Sequence, residues 1–211
     1  RSGFVALDEF QQAREAYHVE KIAFGADKVS AETVENIIKT AKAAEEASFE
    51  NRLSNTIKGA IGAQRVERNV EKLKAAKVGL SFTDDGKLVA EGLQTGSEEA
   101  KLVEQTNKLL DEDTVMRHLV GEDAKRIATP EDIPQPPLKL SEQEFDELDL
   151  LVKELEARGA TYHLNDQDQV EISINDVVTE NVEDLELLKQ KAQRAQQLFD
   201  EADKEDLIRQ T

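Results

Sequence analysis

The 211-residue chain lacks cysteine and tryptophan, and only 4% of its residues are aromatic. The absence of cysteine excludes disulfides, iron–sulfur clusters, thiolate zinc sites and cysteine nucleophiles. A hydrophobic content of 38% is low for a thick globular core, so we expect elongated helices with narrow apolar stripes. No run approaches the roughly 18 apolar residues of a membrane-spanning helix, and no signal-peptide pattern is found. Since the first residue is Arg1 rather than Met, a processed chain or a fragment is expected.

The sequence also lacks the motifs that carry common chemistry. No nucleophile-elbow, Walker or dinucleotide-binding glycine pattern is present. Glu15 and His18 are spaced as in a helical di-iron site, but such a site needs a second E-x-x-H motif and the chain has none. The turn that contains Asp166 and Asp168 lacks the glycine and the glutamate that complete an EF-hand calcium loop. We therefore predict no catalytic residue, no metal and no cofactor, and hence a protein that is not an enzyme.

Apolar residues spaced by three and four predict a mainly α (α+β) protein, with long helices and two small β-hairpins. A first helix is predicted from Asp8 to Phe24. A second is predicted from an N-cap at Ser30 to about Lys77, a length of roughly 70 Å. A bend or break of this helix at Gly59 or Gly62 is left open. The large apolar residues in its first half are expected to lie on one packed face: Val34, Ile37, Ile38, Phe49 and Leu53.

All four prolines lie between residues 130 and 137. Such a density of proline is typical of an extended, semi-rigid connector. We therefore predict a helical domain at residues 1–128, a connector at 129–140 and an acidic helix–hairpin–helix domain at 141–211. The first domain is expected to contain the long helix and a hairpin at residues 79–91.

The same helix–hairpin–helix unit is predicted twice. The first hairpin precedes a helix from Ser97 to Gly121, and the second, with strands at 161–164 and 170–174, precedes a helix at 182–206. The units superimpose without a gap at an offset of 82 residues, which places Leu88 on Val170. Two alternatives explain this match: an internal duplication, or the general likeness of any two helix–hairpin–helix units. A lone hairpin is marginally stable, so each must pack on its helices, pair with the other or pair with another chain.

The net charge of −18 is distributed unevenly. Residues 1–129 hold 19 basic and 23 acidic side chains, whereas residues 130–211 hold 8 basic and 22 acidic ones. We predict two interaction surfaces with complementary charge, which dock within one chain or between copies. The basic patch consists of Arg52, Lys58, Arg65, Arg68, Lys72, Lys74 and Lys77. The acidic lobe consists of Glu142, Glu144, Asp146, Glu147, Asp149, Glu154 and Glu156.

These features predict a non-catalytic structural or assembly protein that acts through helix packing and charge-complementary contacts, such as a virion component or scaffold of a bacteriophage. The alternative is an acidic regulator that binds a basic protein surface or mimics nucleic acid. A winged-helix function is disfavoured because the acidic lobe would repel DNA, although a basic segment precedes the first hairpin. The expected partners are proteins, including further copies of the chain. The expected location is the cytoplasm or a virion, without membrane insertion.

Overall fold

The structure is a computed structural model that describes residues 3–121, 127–136 and 139–202. The described residues are 67% helical and contain six helices and two antiparallel two-stranded sheets. The prediction of a mainly α fold with two small hairpins is therefore confirmed. Helix α1 (Gly3–Phe24) begins five residues before the predicted start. This extension follows from Ala6, which is buried in the same seam as Ala13, one heptad later.

A tight turn joins α1 to the long helix α2 (Ala31–Ala75). Gly25 ends α1 with a φ of 90°, a conformation that favours glycine. Ser30 caps α2 as predicted, because its side-chain oxygen accepts a hydrogen bond from the Thr33 amide at 3.2 Å. The Glu20 carboxylate closes the turn by accepting hydrogen bonds from Ser30 N at 2.9 Å and Thr33 Oγ1 at 2.7 Å. These hydrogen bonds lower the pKa of Glu20.

Helix α2 is continuous through both glycines, which settles the alternatives left open by the sequence. The two glycines instead provide space for a neighbouring helix. A Cβ atom at Gly59 would lie 2.8 Å from the carbonyl oxygen of Thr114, and one at Gly62 would lie 2.6 Å from Cγ2 of Val115. Any larger side chain at these positions would collide with the helix that crosses there.

The prediction of a single helix from Ser97 to Gly121 is wrong, because this segment forms two helices. Helix α3 (Glu98–Leu110) begins at the predicted Ser97 cap, and helix α4 (Asp113–Val120) follows after a break. Glu112 has an extended backbone at the break, with a φ of −88° and a ψ of 119°. This change of direction buries Val115 and Leu119 against α2.

The first hairpin lies where it was predicted, with strands β1 (Leu80–Phe82) and β2 (Leu88–Ala90). Within the proline-rich segment, Pro130–Asp132 forms a 3-10 turn, and both Pro130 and Ile133 are buried. Residues 137 and 138 of the predicted connector lie outside the described residues. The division into two domains and a connector stays a prediction, although buried side chains tie this segment to the rest of the protein.

The second unit consists of α5 (Glu142–Ala157), β3 (Thr161–Leu164), β4 (Val170–Ser173) and α6 (Val182–Glu201). Ser141 and Glu144 form the predicted capping box at the start of α5. The predicted extension of the last helix to residue 206 falls outside the described residues.

Backbone hydrogen bonds of the two hairpin turns correspond at the predicted offset of 82 residues. The amide of Thr83 donates to the Lys87 carbonyl oxygen at 2.9 Å, and the equivalent bond from Asn165 to Gln169 has the same length. Gly86 and Asp168, which are also equivalent, have φ values of 82° and 57°. The two hairpins therefore share one turn conformation.

The hairpins do not pair with each other, since each forms a separate two-stranded sheet. The helix that follows each hairpin instead provides a side-chain amide for the outer edge of the second strand. Asn107 bonds the Leu88 amide at 2.7 Å and the Leu88 carbonyl oxygen at 2.9 Å. Gln196 bonds the Ile172 amide at 3.1 Å and the Val170 carbonyl oxygen at 2.7 Å. Both amides cover strand edges that would otherwise be open to another chain.

Two hydrophobic cores are built on the second half of α2. The first core, around the first hairpin, includes Ala63, Val66, Val70 and Leu73 of α2 together with Leu88, Leu110, Val115, Leu119, Ile127 and Ile133. The second core combines Leu53, Ile57, Ala60 and Ile61 of α2 with residues of α5, β3, β4 and α6. We call residues 53–202 the body. Residues 3–52, which comprise α1, the turn and the first half of α2, form the arm.

Candidate interaction surfaces

The predicted acidic lobe lies on α5, where its residues face two other helices. On the side of α2, Glu142 pairs with Lys72 and Glu156 pairs with Lys58. Glu156 also accepts a hydrogen bond from the Ser54 hydroxyl at 3.1 Å. Pairs at both ends of α5 thus hold it along the basic face of α2.

Arg65 of α2 forms the central contact of this interface. Its guanidinium lies 2.6 Å from Asp146 Oδ1, and both Nε and Nη2 donate to Asp149 Oδ2, at 3.3 and 2.9 Å. Arg65 and Asp149 are only 8% and 7% exposed. Burial disfavours the charged guanidinium, but hydrogen bonds to Asp146 and Asp149 outweigh it and raise the pKa of Arg65. Loss of either partner would leave a buried charge uncompensated.

Arg68 lies about one helical turn further along α2 and contacts an aromatic ring and a backbone carbonyl. Its Nη2 donates to the Leu140 carbonyl oxygen at 2.9 Å. The guanidinium carbons of Arg65 and Arg68 lie 4.7 and 4.5 Å from the centre of the Phe145 ring, within the range of a cation–π contact. Burial and the neighbouring charge of Arg65 lower the pKa of Arg68.

The remaining acids of the lobe pair with basic residues of α6 or cap the start of α5. Arg194 holds Glu147 with two hydrogen bonds of 2.8 and 2.9 Å, and these lower the pKa of Glu147. Lys191 lies 2.9 Å from Glu154. Glu144 is the capping residue, and its bonds to Ser141 lower its pKa. All seven acids therefore have a function within the chain.

The basic patch is only partly used in this interface. Lys58, Arg65 and Lys72 pair with acids of α5, and Arg68 contacts Phe145 of α5. Lys74 instead lies 3.7 Å from Glu71 of its own helix. Arg52 and Lys77 form no ion pair with the described residues. The structure thus places the complementary charges that were predicted to dock inside one molecule.

The arm presents a surface of a different kind. Eight large hydrophobic side chains of the arm are between 37% and 86% exposed: Val5, Leu7, Val19, Ile22, Phe24, Val34, Ile38 and Phe49. The expectation that Val34, Ile38 and Phe49 lie on a packed face is therefore wrong. Buried residues of α2 begin only at Leu53, because the first half of this helix is covered by α1 alone.

The seam between α1 and α2 explains this exposure. The residues of α1 that face α2 are Ala6, Phe10, Ala13, Tyr17 and Glu20, at alternating spacings of four and three. Opposite them lie Thr33, Ile37, Thr40, Ala44 and Ala47, all half-buried. This is a coiled-coil pattern whose positions are largely small or polar. Beside it lies an open groove of about 380 Å³, which is lined by three alanines and five polar residues: Ala13, Ala16, Ala43, Glu9, Gln12, Asn36, Lys39 and Thr40.

Sequence reasoning missed the arm surface because it treated every apolar residue as core. One signal was available, since the heptad positions of the seam do not include Ile22, Val34 or Ile38. Large apolar residues off the seam of a helix are candidates for an exposed surface rather than for the core.

The structure adds no candidate for metal or membrane binding. No group of three or more possible ligands within residues 3–121, 127–136 and 139–202 could hold a metal ion. None of the described helices is long and apolar enough to cross a membrane. Glu15 and His18 both lie exposed on α1.

Comparison of the chain with protein-family models, curated proteins and solved structures gives no match.

Proposed function

We propose that the protein is a non-catalytic structural or assembly component that binds other protein molecules through its arm. The observation that carries this proposal is the exposure of eight large apolar side chains on two helices that have almost no core of their own. Groups of large apolar side chains that a folded protein leaves exposed are typical of an interaction site. A virion component or scaffold is the kind of assembly that such an arm suits.

The body supports this division of roles because its basic patch, acidic lobe and two hydrophobic cores are already engaged, and its exposed large apolar side chains are fewer over a longer segment: Val89, Leu150, Val178, Val182 and Leu187. The basic patch packs on the acidic lobe, and both hydrophobic cores are closed around α2. Charge complementarity then stabilises the chain itself, while helix packing by the arm provides the contact between molecules. Both predicted interactions are therefore retained at different sites: charge pairing in the body and helix packing on the arm.

The alternative of an acidic regulator or nucleic-acid mimic has less support. It needs acids that are free to meet a basic partner, and those of α5 are paired with Lys58, Arg65, Lys72, Lys191 and Arg194. A partner would have to replace these contacts. Since breaking a buried ion pair is costly, such an exchange is disfavoured at Asp149.

Light scattering across a range of protein concentrations, at low and high salt, tests the proposed function. The mass of the wild-type chain should rise with concentration. Ile38→Glu, which places a charge on the arm, should reduce this rise, whereas Leu187→Glu at an exposed site of α6 should not. A strict monomer in every buffer would contradict the proposal.

A further inference from the structure

We infer that the body is a fused dimer, in which two copies of one helix–hairpin–helix unit pair around a pseudo-two-fold axis. The first unit comprises residues 60–110, which are the end of α2, the first hairpin and α3. The second comprises residues 142–192, which are α5, the second hairpin and the first half of α6. The partner that fits the pairing surface of each unit is thus the other unit. This inference concerns the body and is independent of the proposed function, which concerns the arm.

The burial of side chains repeats at the offset of 82 residues. In four pairs of equivalent residues both members are buried: Val70 and Val152, Leu73 and Leu155, Leu88 and Val170, and Thr106 and Leu188. These pairs come from the first helix, the second strand and the second helix of each unit. Since the spacing is kept without insertion or deletion over all three elements, the repeat covers the whole unit and not only its hairpin turn.

The backbone repeats at the same offset where α2 and α5 end. Lys77 and the equivalent Gly159 both have a positive φ, of 57° and 93°. The amide that follows each of them donates to the carbonyl oxygen five residues earlier, at 3.2 and 3.0 Å. This is the Schellman arrangement, in which the residue with positive φ is most often glycine. The two helices thus end in the same way although only one of them has glycine at this position.

The two units pair through α2 and α5, which cross at equivalent positions. Three ion pairs join these helices: Lys58 with Glu156, Arg65 with Asp149, and Lys72 with Glu142. The pairs are spaced by seven residues on both helices and run in opposite order, so the helices are antiparallel. The middle pair is adjacent to Val66 and Leu148, which are equivalent at the offset of 82 and are almost fully buried. Antiparallel equivalent helices that cross at equivalent residues have the geometry of a two-fold interface.

The segments that precede the two units make reciprocal contacts. Leu53 and Ile57, which precede the first unit, are buried in the core around the second hairpin. Ile127 and Ile133, which precede the second unit, are buried in the core around the first hairpin. Accordingly, α2 contacts β3, and the turn at Pro130–Asp132 contacts β1. Reciprocal contacts of this kind are typical of a two-fold pair and are not required of two similar units that follow each other in one chain.

The offset also explains why the chain has one arm. Residues 48–58, through which α2 continues into the arm, are equivalent to residues 130–140, which precede α5. All four prolines lie in the second of these segments, and proline removes a helical hydrogen bond and clashes with the preceding turn. The first helix of one unit therefore extends into an arm, whereas that of the other begins at Glu142.

Cleavage between the two units tests their pairing in the complete chain. A protease recognition sequence inserted after Gly121 allows the folded protein to be cut between α4 and α5. The two halves should stay together and sediment with the mass of the uncut chain, because each half completes the core of the other. Halves that separate without denaturant would overturn the inference.

Matched substitutions in the cut protein test whether the contacts are reciprocal. Ile57→Ala and Ile133→Ala, at sites that are 0% and 4% exposed, should each weaken the association of the halves by about 30-fold or more. Ile38→Ala, at a site that is 64% exposed, should weaken it less than about two-fold. If circular dichroism shows that a buried alanine variant is unfolded, Ile57→Val or Ile133→Val replaces it and should weaken the association by about 3- to 10-fold. A clear effect at only one of the two buried sites, or at neither, would overturn the pseudo-two-fold pairing.

Discussion

The two halves of α2 have the same secondary structure but opposite environments. From Leu53 to Leu73 the helix is packed by two hydrophobic cores, whereas from Ala31 to Arg52 it has no buried residue. The glycines follow the same division, since Gly59 and Gly62 occur only where another helix crosses. One continuous helix therefore joins a body with two hydrophobic cores to an arm with few buried residues of its own.

Helix formation and core formation are therefore separate properties of the sequence. In the arm, capping at Ser30 and the hydrogen bonds of Glu20 hold the hairpin, while the seam of small and polar residues contributes little burial. Most of the stability of helices in proteins comes from packing of an apolar face rather than from helix propensity. We therefore expect the arm to unfold locally more readily than the body.

The largest predicted effect compares one phenylalanine from each region. Phe145 is fully buried beneath Arg65 and Arg68, whereas Phe49 is 41% exposed. Phe145→Ala should lower the free energy of unfolding by about 3–5 kcal/mol because it leaves a cavity. Phe49→Ala should lower it by about 0.5 kcal/mol or less in the dilute chain. Urea denaturation measures both, and similar losses would remove the distinction between arm and body.

A smaller effect is predicted at the crossing of α2 and α4. Alanine at position 62 would gain up to about 1 kcal/mol of helix propensity, but its Cβ would lie 2.6 Å from Val115 Cγ2. The collision should dominate, with a net loss of about 1–3 kcal/mol. In the Val115→Ala background the same substitution should cost much less, and a double-mutant cycle measures the difference. If the two losses in the free energy of unfolding were additive, Val115 would not be the residue that excludes a Cβ atom at position 62.

The smallest effect concerns a buried hydroxyl group. Tyr162 is 1% exposed, packs edge-on against Phe199, and its hydroxyl oxygen has no hydrogen-bond partner in the described residues. Burial raises the pKa of this phenol, which therefore stays protonated. Tyr162→Phe should raise the free energy of unfolding by about 1 kcal/mol, because an unsatisfied polar group is removed.

Tyr17→Phe is the matched control for this change, since Tyr17 is half-buried in the arm seam. It should change the free energy of unfolding by less than about 0.5 kcal/mol. A clear loss of stability in Tyr162→Phe, measured by thermal denaturation, would mean that the hydroxyl does have a partner.

The body was more predictable from the sequence than the arm. Ser97, Ser141 and the two hairpin turns act locally, so caps, turns and the repeat at an offset of 82 residues follow from sequence pattern. The break at Glu112 was not predicted, because it depends on the fit of Val115 to Gly62, which lies far away in the chain. Sequence alone could not decide whether charges pair within a molecule or between molecules.

Apolar periodicity was least informative in the arm. Ile37 and Ile38 are adjacent in sequence, yet one faces the seam and the other is 64% exposed. The distinction depends on which face of α2 meets α1, and that is a tertiary property. A stripe of apolar residues therefore indicates that a helix has a partner, but not whether the partner is in the same molecule.

Hydrogen exchange along α2, measured at low and high protein concentration, tests the central claim most directly. At low concentration, amides from 34 to 50 should exchange much faster than those from 57 to 73 of the same helix. At high concentration the first group should slow markedly, while the second should not change. Equal protection along the whole helix, independent of concentration, would contradict an arm that depends on a partner.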